Sequence, residues 1–319
     1  MSEHDGPQVL SVPETSEGQR LDNFLLRHLK GIPRSLVYRL VRKGAVRVNG
    51  KRAKVEQRLI AGQDVRVPPL RGSVSEGPAK VPEGVLRLLR GAILFEDEDY
   101  LILDKPAGLA VHGGSGLAFG VIEAMRELRT GPGLELGHRL DRETSGCLVL
   151  TKTRRALMAF HQALREGGVQ KRYLALVAGH WNGREVRCDL PVASGREEGR
   201  RHMRAGIGVD EGALARAATS LFTPLEVFPR FSLMEVDIGT GRTHQIRVHG
   251  QALGHPVAGD HEYGDAEANR LARSLGLRRM FLHAQALRFT DWRGEEQIFS
   301  APLPGELQQV LEMLAGGPS

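Results

Sequence analysis

The 319-residue sequence predicts an α+β chain in two domains. A small basic α/β module spans residues 18–68, residues 69–84 form a linker, and residues 85–319 form a larger domain on a mainly antiparallel, mixed sheet. Three observations lead there. Between residues 18 and 68, thirteen Lys and Arg stand against three Asp and Glu, a surplus of ten, although the whole chain carries only +6. The stretch PLRGSVSEGPAKVPEG at 69–84 is rich in Pro, Gly and Ser and has no apolar period. Beyond Ala92, short apolar runs and helical stretches mix without a βαβα rhythm, which argues against a doubly wound sheet.

In the small module, Leu21, Phe24, Leu25 and Leu29 recur at helical spacing and Gly31 stops the helix. Pro33 opens a second helix whose buried stripe is Leu36, Val37, Leu40 and Val41, with Gly44 as its cap. Arg34, Arg39, Arg42 and Lys43 lie off that stripe and share an exposed face. Asn49-Gly50 is the preferred pair for a type I′ hairpin, with Val46 and Val48 alternating against Arg47 before it and Lys51 and Arg52 after it. Val65 and Val67 supply one more strand. Such a concentrated surplus of cations points to a polyanion, RNA or DNA, as partner; a solvated helical face explains the charge alone equally well.

In the large domain, the strands are expected in AILFEDEDYLILDKPAG, CLVLTK, YLALVAG and FSLMEVDIGTG, and helices around Val121–Leu128, Arg155–Arg165, Thr243–Leu253 and Leu303–Met313. Residues 193–213, with Arg200, Arg201 and Arg204, are polar and Gly-rich, suited to gripping RNA or to a solvated hairpin.

Several function classes are disfavoured. Cys147 and Cys188 are too few and too far apart for a disulfide framework or a metal clip. Gly113-Gly114-Ser115-Gly116 and Gly239-Thr240-Gly241 lack phosphate-loop and dinucleotide spacing and read as turns. His244 and His249 lack the H-E-x-x-H pattern, and His255 and His261 have no cysteine partner, so no metal and no cofactor is expected. No apolar run approaches the roughly 18 residues of a membrane span and no export signal is visible, so no membrane association is expected; the two scattered cysteines fit a reducing cytoplasm, and a monomer is the expectation.

The most distinctive segment is LELGHRLDRETSGCLVLTK, residues 134–152. It sets Asp141 between two arginines just before a turn, Thr144-Ser145-Gly146, that feeds an apolar strand. In that cationic setting the carboxylate would stay ionised and face a cleft; as an ordinary turn cap it would do no chemistry. Asp141 and Glu143 would form a glycosidase-type pair only if the strand reached back to them.

The run from Gln19 to Val67 resembles the S4 RNA-binding domain, most visibly in Gly44-x-Val46-x-Val48-Asn49-Gly50 and Gly62-x-Asp64. His138-Arg139-Leu140-Asp141-x-x-Thr144-Ser145-Gly146 resembles the signature of the RluA-family pseudouridine synthases. Three further segments agree in order and spacing: Asp104-Lys105-Pro106 with Gly108–Gly113, Lys171–Val177 and Gly241–His249. The resemblance runs from about Gln19 to Leu311.

It implies the pseudouridine synthase fold and an isomerisation of uridine in large-subunit (23S) ribosomal RNA, free or in assembly intermediates, without cofactor. By the same resemblance Asp141 is the catalytic residue, acting at the ribose C1′ or on a ribose proton. Arg247 pairs with it, and Tyr173 stacks on the uracil and is the candidate acceptor of the C5 proton. Arg139 fills the place of the flipped base or holds the displaced strand, Leu282 lies under the flipped base, and His138 and Arg242 belong to the substrate site. Arg34, Arg39, Arg42, Lys43, Arg47, Lys51 and Arg52 are the RNA-binding candidates of the S4 module. Two other classes stand beside this one: an RNA-binding assembly factor with a vestigial site, and a hydrolase using Asp141 and Glu143.

Overall fold

The computed structural model describes residues 7–29, 32, 34–69, 81–113, 117–129, 133–197, 200–206 and 215–316. Gly31, Pro33, most of the expected linker and residues 198–199 and 207–213 of the 193–213 segment lie outside the described residues, as do Gly114, Ser115 and Gly116. Two compact units are present: one holds the described residues up to 80 together with 117–119, the other the remaining described residues from 81 onward. No described helix is long and apolar enough to cross a membrane.

In the first unit the elements are β1 (Gln8–Ser11), α1 (Leu21–His28), α2 (Arg34–Arg42), β2 (Arg47–Val48), β3 (Lys51–Arg52) and β4 (Asp64–Val67), with a four-stranded antiparallel sheet ordered β1-β4-β2-β3. Leu21, Phe24 and Leu25 are fully buried, and Val37, Val41, Val46 and Val65 join them in one core. Each such side chain stabilises the unit by about 1.5–3 kcal/mol. Asn49 and Gly50 both have positive φ, 47° and 74°, which is the type I′ geometry that twists with the strands. Gly44, at φ +72°, caps α2 as its place in the sequence suggests. The strand β1 lies ahead of the expected start at residue 18. Four residues with two apolar ones carry no signal by themselves; pairing with β4, Leu10 opposite Val65, is what makes them a strand.

The second unit contains α3 (Glu83–Gly91), β5 (Ile93–Glu96), β6 (Tyr100–Lys105), α4 (Val121–Leu128), β7 (Glu135–Leu136), β8 (Ser145–Thr151), α5 (Arg154–Glu166), β9 (Gln170–Ala178), β10 (Val186–Cys188), β11 (Val192–Glu197), β12 (Arg200–Ala205), β13 (Ser220–Val227), β14 (Phe231–Ile238), α6 (Gln245–Ala252), α7 (Ala266–Ser274), β15 (Leu282–Thr290), β16 (Glu296–Ser300) and α8 (Gly305–Gly316). Its main sheet runs β10-β13-β14-β9-β15-β8-β6-β5, with β16 beside β15 and β7 beside β8. Among the described residues only β8 and β15 pair in parallel, so the expected mainly antiparallel, mixed sheet is the one observed. Every residue of β8 is buried, which is why its sequence is a continuous apolar run. Within the described part of the 193–213 segment, β11 pairs antiparallel with β12, with Val192, Ala193 and Met203 buried.

Gly146 fixes the approach of β8 to β15. Its φ is +109°, and a Cβ there would lie 2.2 Å from the carbonyl oxygen of Ala284. Only glycine permits this contact, which explains the Gly of the Thr-Ser-Gly turn.

Candidate active site

Asp141 sits in the turn before β8, half-buried, and this turn is held from beneath. Lys105, fully buried at the end of β6, donates from Nζ to the carbonyls of Pro106 (2.9 Å), Leu109 (2.9 Å) and Arg142 (3.1 Å). Burial lowers the pKa of this ammonium to about 7, opposed by Glu143 and Asp141. Arg142 Nε donates to Gly108 O at 2.8 Å, and the Gly108 amide donates back to Arg142 O at 2.9 Å. The Asp-Lys-Pro-x-Gly segment is therefore the platform of the Asp141 turn. On the other flank, Ser145 Oγ lies 2.9 Å from His283 Nδ1 and accepts from Arg279 Nη2 at 3.0 Å.

The N-terminus of α6 brings Arg247 to the same place. Its Nη1 is 3.7 Å from Asp141 Oδ2, while Nε and Nη2 donate to Asp260 Oδ2 and Oδ1 at 2.6 and 2.8 Å, and Nη2 also reaches Glu262 Oε2 at 3.1 Å. The guanidinium lies 4.7 Å from the Tyr263 ring centroid. Burial alone would lower the Arg247 pKa, but the Asp260 hydrogen bond and the surrounding carboxylates raise it above the ordinary arginine value. Asp260, itself fully buried, is driven below the usual carboxylate range because Arg247 outweighs the opposing effect of burial. Arg247 is thus clamped by Asp260 and presents one remaining nitrogen to Asp141.

His244 precedes α6 with φ 56° and ψ 20°, a left-handed conformation that is strained for a residue with a Cβ. Its Nδ1 is 2.8 Å from Tyr263 Oη and its Nε2 is 4.0 Å from Asp141 Oδ2. Gln245 locks the preceding turn: its Oε1 accepts from Thr240 Oγ1 (2.7 Å) and the Arg242 amide (3.0 Å), and its Nε2 donates to Thr219 O (2.8 Å) and Ser220 Oγ (3.0 Å).

Asp141, Tyr173, Arg247, Leu282, Arg139 and Arg242 line one cleft. Tyr173 is on β9 and Leu282 at the start of β15, both buried, and Arg139 is exposed at the rim. Burial, and then the charge of Asp141, push the Tyr173 phenol above its ordinary range and keep it neutral.

His138 differs from the expectation. Its Nε2 accepts the Val149 amide at 3.1 Å, tying the turn to β8 rather than lining the cleft. Burial and the nearby Lys171 charge lower its pKa to about 4, so the ring is neutral. The Asp141–Glu143 pair does not form on one strand face, because β8 begins at Ser145; Glu143 is exposed and 3.6 Å from Arg142 Nε. That removes the hydrolase reading. In the first unit, Arg39, Arg42, Lys43, Arg47, Lys51 and Arg52 are exposed, while the Arg34 side chain lies outside the described residues. Sequence reasoning missed Lys105 as a buttress, and missed Asp260, Glu262 and Tyr263. An acidic pair followed by an aromatic, Asp260-x-Glu262-Tyr263, was the available signal.

Comparison with known proteins agrees with this geometry. A family model described as RNA pseudouridylate synthase matches residues 99–252, from β6 to α6, and the S4 domain model matches residues 19–65. Fold and site therefore define an RNA-modifying isomerase with an S4 RNA-binding domain at residues 19–65. The "Ribosomal large subunit pseudouridine synthase C" of Pasteurella multocida is 46% identical over 311 residues, covering 96% of this chain and 94% of that protein. The protein of the same name from Escherichia coli K12 is 45% identical over 313 residues, covering 96% of each. The chain belongs to the RNA pseudouridylate synthase family. Among solved structures, "Human RNA Pseudouridylate Synthase Domain Containing 1" has a TM-score of 0.56 at 29% identity, covering 71% of this chain and 95% of that one. "Human RNA Pseudouridylate Synthase Domain Containing 4" shares the fold, with a TM-score of 0.60 at 23% identity, covering 73% and 96%.

Proposed function

We propose that this chain isomerises specific uridines of large-subunit ribosomal RNA to pseudouridine, with Asp141 as the catalytic carboxylate and the target uridine flipped out of its stack. The observation that carries the reading is the convergence of Asp141, Tyr173, Arg247 and Leu282 on one cleft. The names of the relatives from P. multocida and E. coli support the choice of substrate.

In the reaction the N1–C1′ bond breaks and C5 joins C1′, while a proton leaves C5 and one is taken up at N1. No atom is gained or lost. The Asp141 carboxylate acts at the ribose, as nucleophile at C1′ or as base toward a ribose proton. Arg247, held by Asp260, favours its ionised form. Tyr173 offers a neutral ring against the uracil over Leu282, and its hydroxyl can relay the C5 proton. Arg139 has no carboxylate partner among the described residues and enters the vacancy left by the base. The S4 domain holds flanking RNA through phosphate contacts from its exposed cations, and residues 85–319 perform the chemistry.

The test is turnover on transcribed large-subunit ribosomal RNA, read by chemical mapping of pseudouridine. The wild-type chain produces pseudouridine at defined positions. Asp141→Asn produces none and keeps its RNA affinity within about twofold, since the carboxylate makes no phosphate contact. Turnover by Asp141→Asn removes the residue from its role, and a wild-type chain that binds RNA without isomerising it would be an assembly factor.

A further inference from the structure

Lys171 is a buried cation with nothing to neutralise it. It lies on β9, is 7% exposed, and its ammonium makes no hydrogen bond or ion pair among the described residues. The charge it senses most is that of Arg242, which repels it; with burial as the larger cause, its pKa falls to about 8. No carboxylate offsets either effect. The neighbouring His138 is neutral and supplies no anion. The nitrogen itself keeps an opening to solvent, and a largely buried ammonium that has no anion within the chain and stands beside a substrate cleft leaves its partner to be supplied from outside.

The geometry says from where. Lys171 and Tyr173 are two apart on β9 and share its buried face, a separation of about 6.6 Å along a strand, and Tyr173 lines the cleft. Lys171 Nζ lies 3.5 Å from the point where a Gly241 Cβ would stand, so the ammonium sits against a backbone left bare at the cleft rim. Arg242 holds its place by donating from Nε to Ala217 O at 3.0 Å and has no carboxylate partner among the described residues.

We infer that Lys171 and Arg242 form a phosphate subsite that grips the RNA backbone beside the nucleotide held at Asp141. This rests on RNA being the substrate. With Tyr173 against the base and Asp141 at the ribose, the strand spacing sets Lys171 about one phosphate away, and the anion completes the pair of cations. A phosphodiester suits an ammonium as a point charge and an arginine fork together.

Ethylation interference with the full-length protein and transcribed fragments of large-subunit ribosomal RNA tests this whichever uridine is the target. A phosphate whose ethylation blocks wild-type binding should cease to matter for Lys171→Gln. The slope of log affinity against log salt should fall in magnitude by about 0.7–0.9 for one lost phosphate contact, and Lys171→Arg should restore both. Gly241→Val, which covers the ammonium and leaves Lys171 in place, should reproduce the loss if Lys171→Gln folds poorly. Identical interference patterns and slopes for wild type and both loss variants would overturn the subsite. A wild-type protein that shows the interference but forms no pseudouridine would overturn the proposed function and leave the subsite standing.

Discussion

Replacing Asp260 by Asn tests how Arg247 is aimed. The substitution keeps shape and one acceptor oxygen but removes the charge that holds Nε and Nη2 at 2.6 and 2.8 Å. Arg247 and Asp260 are nearly or fully buried, so solvent screens little of the loss. Breaking one side of a buried pair costs about 3–5 kcal/mol, and the lower end applies because Glu262 and Asp141 still face the guanidinium. At about 2–4 °C per kcal/mol for a domain of this size, the melting midpoint should fall by about 6–12 °C. Released from its clamp, Arg247 can close the 3.7 Å gap to Asp141 and occupy the carboxylate. A misplacement near 1 Å costs about a hundredfold, so single-turnover release of tritium from C5 should drop by that order while RNA affinity holds. Acid adds a second readout: the folded-state pKa of Asp260 is depressed, so its stabilisation is full above the ordinary carboxylate value and fades as pH falls through the lower one. Asp260→Asn should lose that part of the acid sensitivity. A variant with a lowered midpoint but unchanged turnover would refute the claim that Asp260 positions Arg247 for chemistry.

Tyr173→Phe should slow single turnover more than tenfold and change affinity less than about twofold, since the ring survives and the hydroxyl does not; an unchanged rate reduces Tyr173 to a stacking surface. In the S4 domain, Lys43→Gln, Arg47→Gln and Lys51→Gln together should weaken RNA binding and flatten its salt dependence by about 0.7–0.9 units per lost phosphate contact, with the saturated turnover rate unchanged. An undiminished slope would show that these exposed cations meet only water. Raising the pH above about 8 discharges Lys171 in the free protein, so RNA affinity should fall there for wild type and not for Lys171→Arg, measured by anisotropy; equal profiles would deny the ammonium a part in binding.

The helices α4, α5 and α8 were legible because their apolar residues recur at helical spacing over two turns or more. The strand β1 was not, because its pairing with β4 is long-range and its four residues leave little apolar pattern. Asp141, Tyr173 and Arg247 were legible through resemblance, since each stands in a short motif. Their supports were not. Lys105 acts on the Asp141 turn through three backbone carbonyls, and a carbonyl leaves no trace in the residue type that bears it. Asp260 works thirteen residues from Arg247 on a separate loop, joined to it only by the fold. His138 shows the reverse: its place in a recognised motif suggested substrate contact, whereas its ring serves the backbone of β8.

The crossing at Gly146 has a bearing on how this cleft can change. Asp141 precedes β8 and Leu282 begins β15, and these two strands meet where a hydrogen atom takes the place of a side chain. The spacing of the two strands that carry or follow these lining residues is therefore set by a missing methyl. Variation that enlarges the entrance for a bulkier nucleotide has no room to act at that crossing, and must work from the outer walls, on α6 or the loop at 259–263.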